Sequence, residues 1–105
     1  MAKLVIHAPL KMAQQQGKRS FAQTLATGVG DGYIICSGQL QQVNPGDGLI
    51  VLDKDTQQSA EGTIVAFQPN GWALNGRTRY NILMQNMTPI PFQNVPLKRW
   101  GVAII

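Results

Sequence analysis

The stretch Val43 to Phe67, VNPGDGLIVLDKDTQQSAEGTIVAF, constrains this chain more than any other part of it. Asn44-Pro45-Gly46-Asp47-Gly48 is a dense turn signal. Proline presets φ, glycine permits φ > 0, and Asn and Asp side chains bond their own backbone. Leu49-Ile50-Val51-Leu52 follows as a short apolar run with two β-branched residues, and Gly62 to Phe67 is a second β-type run. Asp53 to Glu61, between them, is polar and turn-like. Two such runs joined by a polar loop predict a β-hairpin.

The rest of the chain is punctuated in the same way. Lys3 to His7 reads as a strand that Pro9 ends, because proline cannot donate to a ladder. Lys11 to Arg19 is polar and expected in an exposed loop. Ser20 is placed to cap a short helix through Thr27, with Phe21 and Leu25 four apart on one face and Gly28 as its stop. Gly28 to Gly32 reads as a flexible turn and Tyr33 to Cys36 as a strand. Gln39 to Val43 is a shorter strand candidate. Gln68 to Gly76 reads as a loop carrying an exposed or half-buried Trp72. Arg79 to Met87 is a strand. Thr88 to Phe92, with Pro89 and Pro91, is extended but barred from central pairing. Val95 to Ile105 ends in an apolar run that should close the sheet against the first strand or the helix. The expectation is one mainly β domain over residues 1–105, a small closed or partly open barrel of six to seven short strands with one short helix.

Composition narrows the function classes. A chain of 105 residues has room for one modest core. Charged residues make up only 13%, about half the usual share, so Gln, Asn, Thr and Ser must cover the surface. The net charge of +4 favours anionic partners, nucleic acid among them, although nine cations form no run. The single cysteine, Cys36, cannot form an internal disulfide, and no apolar run approaches a membrane span. A soluble protein of the cytoplasm, without membrane attachment, is the resulting expectation.

Val43 to Phe67 and Tyr80 to Lys98 together resemble the PUA-like barrel superfamily, above all its EVE and ASCH branches. In those families a Pro-Gly-Asp turn leads into a strand, as Pro45-Gly46-Asp47 leads into Leu49 to Leu52. A glycine opens the next strand, as Gly62 does before Thr63 to Phe67. A later strand ends near a Pro-Val-Pro-Leu-like stretch, matched in order by Pro91, Val95, Pro96 and Leu97. The chain departs from the EVE pattern by opening on Leu4-Val5-Ile6-His7 in place of a Trp-containing strand. The resemblance implies a barrel related to modules that bind RNA or modified bases, and it carries over no binding residue.

Catalytic sets are hard to assemble. His7 and Cys36 are the only residues of their kinds, and a nucleophilic pair would also need a group to orient the imidazole. Cys36 is expected buried among apolar neighbours, and His7 hydrogen-bonded at the surface. One His and one Cys are too few for a structural zinc site. Asp53-Lys54-Asp55 reads as a solvated hairpin loop and Asp47 as the fixing residue of its own turn. No cofactor site is indicated, and a small hydrolytic enzyme ranks last.

The candidate site is basic and aromatic. Lys98-Arg99-Trp100 sets two cations beside an indole, Arg77 and Arg79 follow Trp72, and Lys11, Lys18 and Arg19 lie in the N-terminal loop. Cations contact phosphates while aromatic faces stack on unpaired bases. The function expected is therefore a non-catalytic module for RNA or a modified nucleobase, with these cations on one face. The alternative is an assembly protein that associates with its own copies through strand edges and the apolar C-terminus.

Overall fold

A computed structural model describes residues 2–9, 17–72, 76–97 and 101–105. Its elements are β1 (Lys3–His7), α1 (Phe21–Thr27), β2 (Val29–Ile34), α2 (Ser37–Leu40), β3 (Gly48–Asp53), β4 (Gln58–Trp72), β5 (Thr78–Ile90) and β6 (Val102–Ile104). The six strands form one sheet in the order β2-β5-β4-β3-β1-β6, curled into a half-barrel. β1 runs parallel to β3, and every other neighbouring pair is antiparallel. Among the described residues no helix is long and apolar enough to cross a membrane.

The apolar runs of β1 and β3 carry no polar alternation because both faces of the sheet are covered there. Leu4, Ile6, Leu49, Val51 and Val102 point into the main core with Phe21, Ile64 and Ile82. Val5, Ile50, Leu52 and Ala103 point the other way, into a smaller core that Val95 and Leu97 cover. β6 pairs with β1, as Leu4 opposite Ile104 and Ile6 opposite Val102, so the C-terminal run closes on the first strand as expected. At the open side of the barrel the Tyr33 hydroxyl donates to the His7 carbonyl at 2.9 Å and ties β2 to the end of β1.

Local chemistry fixes the connections. In α1 the Ser20 hydroxyl accepts from the Gln23 N–H at 3.2 Å, and the Gln23 side chain accepts from the Ser20 N–H at 3.0 Å. This reciprocal cap satisfies two of the donors that a helix start leaves unpaired. Gly28 ends the helix with φ +69°. In the Asn44–Asp47 turn, Gly46 takes φ +98° after Pro45, and Asp47 Oδ2 accepts from the Asn44 N–H at 2.9 Å. The expected β3–β4 hairpin is present.

Several expectations are corrected. Gly28 to Gly32 is not a free turn: Gly28 ends the helix, Val29 and Gly30 pair with β5, and Gly32 sits with Asp31 in a bulge of β2. Gln39 to Val43 is not a strand, because residues 37–40 form a helical turn in which Gln39 Oε1 accepts from the Cys36 N–H at 3.2 Å. The polar loop after β3 shrinks to residues 54–57, and β4 continues through Pro69 to Trp72 where a loop was expected. β4 and β5 are long, and bulges let them bend around the core. Thr88 to Ile90 is extended and pairs only with β4, since β2 spans β5 no further than Leu83. Asp53 is not solvated: at 1% exposure it accepts from the Asp55 N–H at 2.9 Å and from Thr56 at 3.3 Å. Cys36 is partly exposed and not buried. His7 is hydrogen-bonded as expected, its Nε2 accepting from the Lys54 N–H at 3.1 Å, but it is half-buried and not at the surface.

Candidate nucleic-acid interface

Two bulges face each other across the start of β5. On one side β2 fits Asp31 and Gly32 against Asn81, between the pairs Gly30 opposite Ile82 and Tyr33 opposite Tyr80. On the other, β4 fits Asn70 and Gly71 against Arg79, between Pro69 opposite Tyr80 and Trp72 opposite Thr78. Each extra residue needs left-handed backbone, which glycine supplies at φ +58° (Gly32) and +73° (Gly71). Bulges break the strand's alternation and re-aim the side chains beside them. Here Asp31 and Asn70 both come to line one cleft.

Asn81 locks the two bulges together. Its Oδ1 accepts from the Gly32 N–H at 2.9 Å and from Asn70 Nδ2 at 3.0 Å. Arg79 Nη1 donates to the Gly32 carbonyl at 3.0 Å, so both polar groups of that peptide position are used. The segment before α1 is tied down by Asp31: Oδ2 accepts from the Arg19 N–H at 2.8 Å, and Oδ1 accepts from Arg19 Nη1.

The cleft has a volume of about 590 Å³ and is lined by Lys18, Arg19, Asp31 and Arg79 with Gln23, Thr27, Asn70 and two glycines. Its charge is unbalanced. Asp31 pairs with Arg19, so three cations face one carboxylate and the lining carries an excess of two positive charges. Burial pushes the Lys18 ammonium below its ordinary pKa, the nearby Arg79 adds to that, and Asp31 opposes it. A half-buried ammonium beside a guanidinium is a place where an anion lowers the energy of both.

Of the residues expected from sequence, Lys18, Arg19 and Arg79 therefore meet in one cleft. Trp72 ends the same stretch of β4 and is 78% exposed. Arg77 is exposed and immediately precedes β5. Lys11, Lys98, Arg99 and Trp100 lie outside the described residues. Tyr80 packs against the core. Asp31, Asn70 and Asn81 were not anticipated. The signal that could have found them is a Gly-Asp-Gly and an Asn-Gly interrupting otherwise strand-like sequence, which marks a bulge as readily as a turn. No protein-family model, curated protein or solved structure matches the chain.

Proposed function

We propose that this protein is a non-catalytic binding module for single-stranded RNA or an extruded nucleobase, with a barrel of PUA-like kind. The observation that carries the reading is the convergence of Lys18, Arg19 and Arg79 on one cleft at the end of the β4–β5 pair that also presents Trp72 to solvent. Solvent exposure of an indole is otherwise unfavourable, and a stacked base removes that cost. The mainly β half-barrel and the Pro45-Gly46-Asp47 turn into β3 support the PUA-like part of the reading.

The test is fluorescence anisotropy with a labelled single-stranded RNA across a salt series. About two phosphate contacts, from Lys18 and Arg79, give a slope of log K against log salt near −1.4, at about −0.7 for each phosphate neutralised on a single strand. Trp72→Ala is expected to weaken binding about tenfold or more, the range for losing one stacked base. Salt-independent binding, or full affinity in the Trp72 variant, overturns the reading.

A second reading rests on β6. It is one of the two edge strands of the sheet, and the following Ile105 is 52% exposed. Pairing of two β6 edges would join two copies of the chain and cover that side chain. Sedimentation velocity at micromolar concentration separates the two: a strict monomer removes self-association.

A further inference from the structure

We propose that the cleft between α1, the β2 bulge and the start of β5 takes a phosphate monoester, carried on the end of an RNA strand or on a free mononucleotide and held between Lys18 Nζ and the Arg79 guanidinium. The inference rests on the nucleic-acid reading above and narrows it from phosphates in general to one ionic form.

The argument is charge matching. Three cations and one carboxylate line the cleft, and the carboxylate is engaged by Arg19. Two positive charges are left facing one half-buried space. An internal phosphodiester brings one negative charge and leaves one of those cations unmatched. A monoester brings about −1.5 to −2 at neutral pH and three strong acceptor oxygens. Like charges brought together where solvent is partly excluded repel, and a dianion between them removes that repulsion where a monoanion removes only part.

Donor supply agrees. Among the described residues Lys18 makes no hydrogen bond or ion pair, so its ammonium donors remain available. Arg79 spends one N–H on the Gly32 carbonyl, which fixes the guanidinium and leaves its other donors for a ligand. Gln23 and Asn70 add neutral polar groups on either side, suited to a sugar hydroxyl or a base edge. A volume of about 590 Å³ lies within the usual range for a small-ligand site.

The experiment compares one short RNA sequence in three forms: 5′-phosphorylated, 3′-phosphorylated, and with hydroxyls at both ends. A nucleoside 5′-monophosphate is titrated beside its nucleoside by calorimetry. The expected result is binding about tenfold tighter for a monoester-ended RNA than for the hydroxyl-ended one, as charge-assisted bonds would give. That advantage should shrink between about pH 7.5 and pH 5.5 as the monoester takes up its second proton. Lys18→Gln should erase it without lowering the melting temperature. Arg79→Gln should erase it too, but that variant also breaks the bond to Gly32, so Lys18→Gln decides. Equal affinity for all three RNAs overturns the monoester assignment and leaves RNA binding standing. Binding of the monophosphate but of no RNA supports the assignment, identifies the free nucleotide as the source, and removes the RNA reading. Binding of neither overturns both.

Discussion

At the scale of single residues, Gly28 shows how little freedom the chain has where helix meets sheet. Its N–H donates to the Thr24 carbonyl at 2.9 Å, and its carbonyl accepts from the Met84 N–H at 2.9 Å. A Cβ added there would sit 2.8 Å from the Met84 carbonyl oxygen, on backbone at φ +69°. Gly28→Ala is expected to cost about 1–3 kcal/mol, read as a lower midpoint in chemical denaturation. His7 makes the second residue-scale prediction. Burial lowers its pKa from 6.5; Asp53 and Asp55 oppose this and Lys54 adds to it. The folded state thus binds a proton less readily than the unfolded chain, and stability rises with pH across that window. It should be highest above about pH 6.5 and fall as pH drops toward the folded pKa, because a protonated Nε2 can no longer accept from Lys54. His7→Gln should flatten this slope between about pH 5.5 and 7.5. The helix caps and the Asp47 turn were legible in the sequence because they are made within a few residues. The burial of Asp53 was not: it depends on where the whole hairpin packs.

At the scale of elements, strand identity was easiest to read where both faces are buried. Leu4-Val5-Ile6 and Leu49 to Leu52 are unbroken apolar runs, and the structure uses every residue of them as core. The sequence misled where glycine and asparagine sit inside a ladder. Gly30-Asp31-Gly32 and Pro69-Asn70-Gly71 carry turn chemistry, and each does turn, but by one residue within a strand that continues. A residue pattern cannot separate a bulge from a loop until the partner strand is known, since the bulge exists only relative to its opposite residue. The cations were visible one by one and expected on one face. Which of them meet was not legible, because it is set by the register of β2 and β4 on the two sides of β5. Asn81 is the hinge of that register. Asn81→Ala leaves the Gly32 N–H without its acceptor and frees Asn70. We expect a stability loss of about 1–2 kcal/mol, together with a loss of RNA or nucleotide affinity. Full affinity in a folded Asn81→Ala variant would show that the bulges need no lock.

For the molecule as a whole, the two cores share one sheet, and the order of its strands decides what must be complete before either core is dry. β1 lies between β3 and β6, with Val5 opposite both Ile50 and Ala103. A chain stopped at Gly101 would keep β3 and β4 but leave β1 bare along one side and remove Val102 and Ala103 from the two cores. Such a chain is expected to lose its cooperative thermal transition and its near-ultraviolet circular dichroism. A sharp melt at the full-length temperature would show that β6 is dispensable. The same placement bears on manufacture of the protein. During synthesis the first strand leaves the ribosome long before its last neighbour has been translated, and until then a sticky, unpaired row of amides is open to any passing polypeptide. Expression yield should therefore respond more to what shields residues 3–7 than to changes anywhere on the finished surface.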